Sequence, residues 1–496
     1  MLLRIEGLTA AVAGRNDPIL SDVSFTVGAG ERVALVGPSG AGKTTLARLL
    51  LGLDRPVARR SGQVILGRDD LCRLTAARLR DVRRRHLAFV AQNPASALDP
   101  LRTLQWQWDQ NLSTIEDLDA RRDAPGFLAA FDITDRLSAF PGEWSRGMLQ
   151  RLVIAMALAR RPKLLVMDEP TSALDPILGA EVMRHVLRHT RDLGTSLILV
   201  THHLGLAAAL TQRHIHLRAG RIVPDVLPLS ARFEVTGHGN TASRQAHDPL
   251  VPIIDARNVT VALGGREIVS DVSLQLNAGA SIAIVGESGA GKSTLVRALL
   301  GLIPVSKGRI ERRGQAPGLV SQDPLSALHP AMRCIDAIAE PLMVRGVAEP
   351  SRRARVREIA SLLRLEPRHL DQLTQQLSVG QAQRACLARA LIANPSLIVF
   401  DEPLSALDES TANEVVGAIQ QARSSFGTAM VFVTHDLGFA QQVADEVHVL
   451  RHGRVVETAS TRAFFTQPQS AYGRALLEAA RSLGDVTAAA RRPENI

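Results

Sequence analysis

GPSGAGKTTL at residues 37–46 and GESGAGKSTL at residues 286–295 are near-copies of one stretch within a single chain. An apolar run precedes each copy, RVALVG at 32–37 and SIAIVG at 281–286, and a run rich in Leu and Ala follows it. A strand, a glycine-rich turn and a helix in this order bind phosphate, because glycine backbone N–H groups and the helix N-terminus attract anions. The pattern therefore predicts two phosphate-binding loops.

The residue types in both loops fit ATP with a magnesium ion. The lysine of each loop would reach the β- and γ-phosphates, and the hydroxyl after it, Thr44 or Ser293, would bind Mg²⁺. A plain glycine-rich turn is the alternative, but the loops are in register and use two of only four lysines. The expected ATP-binding residues are Gly37, Pro38, Ser39, Gly40, Ala41, Gly42, Lys43, Thr44 and Thr45, and then Gly286, Glu287, Ser288, Gly289, Ala290, Gly291, Lys292, Ser293 and Thr294.

The repetition continues through the chain. The further pairs are QNPASALDP (92–100) and QDPLSALHP (322–330), MDEPTSALD (167–175) and FDEPLSALD (400–408), and LVTHHLG (199–205) and FVTHDLG (432–438). Lys43 and Lys292 are 249 residues apart, whereas Gln92 and Gln322 are 230 apart, so the first half carries 19 extra residues between these motifs. A repeat this long indicates a duplicated domain.

The repeat and the polar stretch between its copies define the expected domains. We expect a first domain at 1–235, a flexible linker at 236–252 that is polar and without periodicity, and a second domain at 253–496. Apolar runs such as KLLVMDE (163–169) and SLIVFDE (396–402) predict buried strands of a mainly parallel sheet. The fold class is therefore α/β, with the ligand site at the carboxyl ends of the strands.

Side chains that follow these strands are the candidate catalytic groups. Each Asp-Glu pair offers two roles, since the aspartate suits Mg²⁺ contact through water and the glutamate can polarise an attacking water. The pairs are Asp168 with Glu169 and Asp401 with Glu402. Each half also has a histidine placed to hydrogen-bond the γ-phosphate and a glutamine placed to contact the metal and a moving partner. These residues are His202, His435, Gln92 and Gln322.

Composition excludes several classes of protein. The 496 residues are 46% hydrophobic and 22% charged, which is a globular composition and not that of a disordered chain. The three cysteines are far apart, which excludes a disulfide framework and a cysteine-rich metal site. No apolar run reaches the roughly 18 residues of a membrane span, and the N-terminus lacks a signal-peptide core. We therefore expect a cytosolic protein, and we interpret the net charge of +9 as a mildly basic surface without a nucleic-acid partner.

With LSVGQ at 377–381, the motif set resembles that of ATP-binding cassette (ABC) ATPase domains over nearly the whole chain. The resemblance implies two tandem P-loop NTPase domains, each with a mainly parallel sheet core, an antiparallel β-subdomain and a helical signature subdomain. In that family two domains form a head-to-tail sandwich, and each ATP lies between one phosphate loop and the other domain's signature. Here the sandwich would be intramolecular. The implied signature residues are Ser378, Gly380 and Gln381, and, in WSRGM (144–148), Ser145 and Gly147.

Two departures from the family pattern bear on activity. WSRGM differs from the usual signature at Trp144, Arg146 and Met148, so we expect slower hydrolysis at the site that would use it. The family often stacks adenine on an aromatic residue upstream of the phosphate loop. Val12 and Leu263 stand near those positions, and neither is aromatic.

The glutamine segments resemble those of peptide and nickel importer ATPases, and QPQSAYGRALLEA (467–479) is similar to the C-terminal tail of that branch, here at about 460–480. Peptide importers of the branch often carry a C-terminal cysteine cluster. No cysteine follows Cys386, which favours a nickel or metallophore importer over a dipeptide or oligopeptide importer. The branch implies two integral membrane permease subunits, an external substrate-binding protein and a peripheral position on the cytoplasmic face of the inner membrane.

Two alternatives remain open from the sequence. A monosaccharide-type twin ABC importer ATPase resembles the chain in length and in LSVGQ, but that group usually has a degraded second site, whereas Lys292, Asp401 and Glu402 are intact here. A soluble twin-cassette ATPase acting on ribosomes would suit the charge of +9. Such proteins have a long charged helical linker, which residues 236–252 do not resemble.

Overall fold

The computed structural model describes residues 1–12, 17–38, 40–53, 57–134, 136–171, 174–224, 252–405, 407 and 409–483. The chain forms two compact units, Met1–Ala231 with Ser482–Gly484, and Arg232–Arg481 with Asp485–Ile496. Except for Pro252, the expected linker at 236–252 lies outside the described residues, as does Ser39. The domain limits 1–235 and 253–496 therefore stay predictions.

The first unit contains two sheets. Its described strands are β1 (Leu3–Val12), β2 (Pro18–Val27), β3 (Arg32–Val36), β4 (Val57–Leu66), β5 (Asp69–Asp70), β6 (Leu87–Val90), β7 (Leu164–Asp168), β8 (Ser196–Thr201), β9 (Arg213–Arg218) and β10 (Arg221–Val223). One sheet is antiparallel, in the order β2-β1-β4-β5. The other has the order β10-β9-β3-β8-β7-β6 and is parallel except at β10.

Burial explains the apolar runs of the parallel sheet. Every residue of β7 and β8 is buried, which is the pattern of strands covered on both faces. The helices of the described part of this unit are α1 (Lys43–Leu50), α2 (Ala76–His86), α3 (Leu104–Ser113), α4 (Leu118–Ala130), α5 (Arg146–Ala159), α6 (Pro176–Asp192) and α7 (Leu204–Leu210). Short 3₁₀ turns lie at Pro94–Ala97 and Pro141–Glu143.

The extra residues of the first half include β5 and α2. Arg83 of α2 donates hydrogen bonds to the carbonyl oxygens of Leu51 and Gly52, which follow α1. In the second unit the corresponding strand of the antiparallel sheet leads to the parallel sheet through residues 313–317 without a helix. The additional helix is therefore docked beside the helix that follows the first phosphate loop.

The second unit repeats the arrangement. Its described strands are β11 (Ile254–Leu263), β12 (Arg266–Leu276), β13 (Ser281–Val285), β14 (Lys307–Arg312), β15 (Gly318–Val320), β16 (Leu397–Asp401), β17 (Ala429–Val433), β18 (Glu446–Arg451) and β19 (Arg454–Ser460). The antiparallel sheet has the order β12-β11-β14. The other sheet has the order β15-β16-β17-β13-β18-β19 and is parallel except at β19.

Helices of the second unit fall between these strands and after the last one. They are α8 (Lys292–Leu300), α9 (Pro324–Ala327), α10 (Cys334–Val344), α11 (Glu349–Leu362), α12 (Pro367–Leu370), α13 (Val379–Leu391), α14 (Glu409–Phe426), α15 (Leu437–Val443), α16 (Thr461–Thr466) and α17 (Ala471–Ser482), with a 3₁₀ turn at Thr374–Gln376. The expected α/β class, with a parallel core, an antiparallel sheet and a helical region, is confirmed in both units. Among the described residues, no helix has the length and apolar character needed to cross a bilayer.

Candidate functional site

The two phosphate loops follow the strands at the centre of the parallel sheets. β3 lies between β8 and β9, and β13 lies between β17 and β18. A Cβ atom at Gly37 would clash with the carbonyl oxygen of Leu217, and one at Gly286 would clash with that of Leu450. Glycine is required at both positions because the neighbouring strand passes so close to the loop.

Each loop encloses its lysine. The Lys43 ammonium donates to the carbonyl oxygens of Gly37 at 2.7 Å and Pro38 at 2.9 Å, and the side chain is 7% exposed. The residue before the lysine, Gly42, has φ of 97° and caps α1, a left-handed conformation that favours glycine. A Cβ atom at Gly40 would meet nothing within 4 Å, and Gly40 is exposed, so this position faces open space.

The second loop has the same geometry. The Lys292 ammonium donates to the carbonyl oxygens of Gly286 and Glu287, both at 2.8 Å, and Gly291 caps α8 with φ of 98°. A buried ammonium and a helix N-terminus beside it are a fitting environment for a polyphosphate. Of the other loop residues, Pro38, Ser288, Gly289 and Gly40 are exposed, Ala41 and Ala290 are buried, and Thr45 and Thr294 are half-buried in the helices.

In each unit, the hydroxyl and the aspartate of the predicted magnesium site lie together. Thr44 hydrogen-bonds Asp168, and the Ser293 hydroxyl donates to Asp401 Oδ1 at 3.3 Å. Burial raises the pKa of both aspartates, and the adjacent glutamates raise it further. A hydroxyl beside a carboxylate is an oxygen-only donor set that suits Mg²⁺. A cation held there would neutralise charge on the phosphate oxygens.

Glu169 is held by both of its carboxylate oxygens. The Gln92 amide donates to Oε2 at 2.9 Å, and His202 Nδ1 hydrogen-bonds Oε1 at 2.6 Å. Burial raises the pKa of Glu169, but the hydrogen bond and charge of His202, together with Lys43 and Gln92, outweigh burial. The pKa of Glu169 therefore lies below its ordinary value, and the group is a carboxylate at neutral pH.

Glu402 has the corresponding partners in the second unit. The Gln322 amide donates to its Oε2 at 2.9 Å, and His435 Nδ1 lies 3.3 Å from its Oε1. Burial raises the pKa of Glu402, but His435 outweighs this effect and leaves it lowered. For His435, burial lowers the pKa, but the hydrogen bond and charge of Glu402 outweigh burial and leave the pKa raised. In each unit, then, the glutamine amide donates a hydrogen bond to the glutamate. The sequence predicted a metal contact for the glutamine but not this hydrogen bond.

The signature residues form a separate group at the start of a helix in each unit. Ser378 caps α13: its hydroxyl accepts from the Gln381 N–H at 3.3 Å, and the Gln381 side chain accepts from the Ser378 N–H at 2.9 Å. Ser145 caps α5 by accepting from the Met148 N–H at 3.3 Å. Met148 has no side-chain oxygen to return the bond, so only the second signature has a reciprocal capping box. Gly147 and Gly380 lie in the first turn of the two helices.

Sequence reasoning missed one contact of the second loop. The backbone N–H of Glu287 donates to the hydroxyl of Tyr472 at 3.0 Å, across 185 residues of sequence. Two features of the sequence distinguish Tyr472: it is the chain's one tyrosine, and it lies in the C-terminal segment that resembles the importer tail. Val12 and Leu263, at the positions where the family carries an aromatic residue, end β1 and β11, and Leu263 is exposed.

Comparison with known proteins identifies the family of the chain. A family model described as ABC transporter matches residues 20–172 and 269–405. The chain is 33% identical to the peptidoglycan transport ATP-binding protein YejF of Agrobacterium fabrum, over 97% of this chain and 96% of that protein. It is 30% identical to the glutathione import ATP-binding protein GsiA of Escherichia coli O157:H7, over 96% of this chain and 89% of that protein. The chain therefore belongs to the ABC transporter family, as an ATPase subunit that carries two ATP-binding domains in tandem.

Proposed function

We propose that this chain binds and hydrolyses ATP with Mg²⁺ at two sites and thereby energises an ABC importer. The observation that carries the proposal is the complete group of side chains in each unit. A lysine, a hydroxyl, two carboxylates, a glutamine and a histidine come together at the carboxyl edge of one parallel sheet. This group can bind the triphosphate, hold a cation and activate water.

Hydrolysis in this proposal depends on Glu169 and Glu402. A lowered pKa keeps each carboxylate ionised, so that it can accept a hydrogen bond from the attacking water. Partners on both oxygens restrict the rotation of the Glu169 side chain, which favours an in-line position for that water. The glutamine and histidine therefore orient the base and, by exchanging partners, can respond to the γ-phosphate.

Complete sites require both units in this proposal. Each ATP would lie between the side chains of one unit and the signature of the other. The first site would combine the signature residues Ser378, Gly380 and Gln381 with Lys43, Thr44, Gln92, Asp168, Glu169 and His202. The second site would combine the signature residues Ser145 and Gly147 with Lys292, Ser293, Gln322, Asp401, Glu402 and His435. The capped N-termini of α13 and α5 support this pairing, because a helix N-terminus favours a γ-phosphate. ATP binding would close the sandwich, and hydrolysis would remove the bridging phosphate and reopen it.

Transport would require partners in the membrane. We propose two integral membrane permease subunits, an external substrate-binding protein, and a peripheral position on the cytoplasmic face of the inner membrane. The names of the relatives, peptidoglycan transport and glutathione import, favour a small solute that contains a peptide. A nickel or metallophore substrate is the second candidate, favoured by the absence of cysteine after Cys386.

Isolation of the tagged full-length chain from its host in mild detergent tests the importer. We expect two polytopic membrane proteins to copurify in stoichiometric amounts, and to copurify equally with the Glu169→Gln/Glu402→Gln variant. Copurification of ribosomes without membrane proteins would refute the importer and favour the soluble twin-cassette alternative.

Uptake by a deletion strain then identifies the substrate class. Complementation with the unsubstituted chain should restore uptake of labelled glutathione or a dipeptide, and the Glu169→Gln/Glu402→Gln chain should not restore it. Restored uptake of nickel alone would favour the metal substrate, and restored uptake of a monosaccharide would favour the sugar-type alternative.

A further inference from the structure

The C-terminal segment, defined here as residues 467–482, contacts the second phosphate loop directly. Tyr472 lies in the first turn of α17, is 6% exposed, and accepts a hydrogen bond from the backbone N–H of Glu287 at 3.0 Å. Glu287 is the loop residue after Gly286, and its carbonyl oxygen accepts from the Lys292 ammonium at 2.8 Å. The backbone N–H and carbonyl oxygen of Glu287 thus link Tyr472 of the C-terminal segment to Lys292.

The ring of Tyr472 is held by the end of β18. The Arg451 guanidinium lies over the ring, 4.7 Å from its centroid, which is the geometry of a cation–π contact. Leu450, the residue before Arg451, is the one whose carbonyl oxygen closely approaches Gly286. The same strand end therefore limits the position of both the loop and the tyrosine.

A buried carboxylate anchors the start of the segment. Glu457 of β19 is 7% exposed and accepts from the Gln469 N–H at 2.6 Å, the Ser470 N–H at 2.9 Å and the Ser470 hydroxyl at 2.6 Å. The Ser470 hydroxyl also accepts from the Gly473 N–H at 2.8 Å. These four hydrogen bonds fix the position of the turn before α17.

The first phosphate loop cannot make the same hydrogen bond at the equivalent position. Pro38 stands where the second loop has Glu287, and proline has no backbone N–H and a fixed φ near −65°. The residue before it, Gly37, makes the same close approach to a strand carbonyl as Gly286. At this position the proline ring restrains the backbone of the first loop. In the second loop, the Glu287 N–H donates a hydrogen bond to Tyr472 instead.

We propose that Tyr472 is a positioning residue of the second ATP site and makes nucleotide affinity there dependent on the C-terminal segment. By accepting from the Glu287 N–H, it holds the loop in the form in which Lys292 and the N-terminus of α8 can meet the phosphates. The first site has no such dependence. This inference rests on the proposed assignment of the loops to ATP. It predicts that the two sites differ in how nucleotide affinity depends on the C-terminal segment, a difference independent of the two signatures.

Tyr472→Phe tests the inference because it keeps the ring and removes only the hydroxyl. In the full-length chain carrying Lys43→Ala, which leaves the second loop to bind nucleotide, the dissociation constant of trinitrophenyl-ATP should rise about three- to tenfold. Thr466→Val is the matched control: it removes a hydroxyl of the neighbouring helix that bonds only carbonyl oxygens of that helix, Arg462 and Ala463. The control should leave the constant unchanged, and an unchanged constant in Tyr472→Phe would overturn the inference.

A second background separates the hydrogen bond from general packing. Glu287→Pro removes the N–H and copies the first loop, so adding Tyr472→Phe should then change the dissociation constant by less than about twofold. An equal rise with and without Glu287→Pro would overturn the inference, because it would assign the effect to the segment's packing. In the Lys292→Ala background, Tyr472→Phe should leave binding at the first site unchanged, and a rise there would also overturn it. If the unsubstituted chain itself binds no nucleotide, the proposed ATP function fails, a result distinct from any of these.

Discussion

At the scale of single residues, Glu169 and Glu402 share an unusual backbone conformation. Their φ angles are 47° and 48°, in the left-handed region that non-glycine residues rarely occupy. Each N–H donates at 2.9 Å to the neighbouring strand, Glu169 to Val200 and Glu402 to Val433. The turn at the strand end directs the carboxylate toward the glutamine and histidine, at a cost of about 1–3 kcal/mol that the surrounding contacts must offset.

Replacing each glutamate with glutamine distinguishes the two sites. Both substitutions keep side-chain shape and remove the base. Glu169→Gln should lower steady-state ATPase activity by at least about tenfold, whereas Glu402→Gln should lower it by about twofold or less, since the second site would pair with WSRGM. Steady-state phosphate release at saturating ATP measures the difference. Equal losses would contradict slower hydrolysis at the second site.

Gly37 illustrates a requirement imposed by a distant strand. Gly37→Ala places a Cβ atom against the carbonyl oxygen of Leu217, so β9 or the loop must shift. We expect a loss of about 1–3 kcal/mol in the free energy of unfolding. Gly126→Ala in α4 is the matched control, because its Cβ would meet nothing within 4 Å and alanine favours a helix. Calorimetry should show a lower transition temperature only for Gly37→Ala, and similar temperatures for both variants would refute the steric argument.

At the scale of elements, two histidines of α6 lie beside phenylalanines at the end of α4. The ring centroids of Phe127 and His189 are 4.9 Å apart, and those of Phe131 and His185 are 5.6 Å apart. Burial, and then the charge of Arg188, lowers the pKa of both histidines. The other charged groups near them on this helix are Glu181, Arg184 and Asp192. The neutral rings therefore pack better in this interface than charged ones.

These pKa shifts predict the sign of a pH dependence. A histidine whose folded pKa lies below its ordinary value of about 6.5 binds fewer protons folded than unfolded, so stability is complete above that pH and falls as the pH falls. The calorimetric transition of the first unit should move to lower temperature between about pH 7 and pH 5. His185→Gln/His189→Gln should flatten that slope, whatever its effect at pH 8. An unchanged slope would exclude these histidines as its source.

The helices α5 and α13 differ in their N-terminal caps, and exchanging Met148 and Gln381 tests this difference. Met148→Gln would allow the new side chain to accept from the Ser145 N–H, as Gln381 does from Ser378. We expect about 0.5–1 kcal/mol of added stability at the start of α5, measured as slower hydrogen exchange in its first turn. Gln381→Met should have the opposite effect on α13. Unchanged exchange rates in both variants would show that the reciprocal bond contributes nothing.

At the scale of the whole molecule, the proposed sandwich requires the predicted linker to let the units meet. The 17 residues of 236–252 could extend about 55–60 Å. With ATP and Mg²⁺, Glu169→Gln/Glu402→Gln should bind without hydrolysing, and its radius of gyration in solution scattering should fall. Lys43→Ala/Lys292→Ala is the control and should show no change. No compaction in the glutamine variant would contradict the intramolecular sandwich.

Local pattern was enough to identify the α/β class and the group of candidate site residues. The phosphate loops, the Asp-Glu pairs and the glutamine and histidine motifs are each contiguous in sequence, and each follows a short apolar run that is typical of a buried strand. Because the carboxyl ends of parallel strands meet at one edge of a sheet, the topology explains the observed Thr44–Asp168 and Ser293–Asp401 contacts.

The sequence by itself was therefore sufficient to predict two phosphate loops with candidate acids, bases and metal ligands, since these depend on short-range spacing. The tertiary structure alone decided what each group touches. Gln92 bonds Glu169 rather than facing only a metal, Gly37 must be glycine because of Leu217, and Tyr472 reaches a loop residue 185 positions away. Such contacts depend on which strands and helices become neighbours when the core packs, and local propensity carries no information about that.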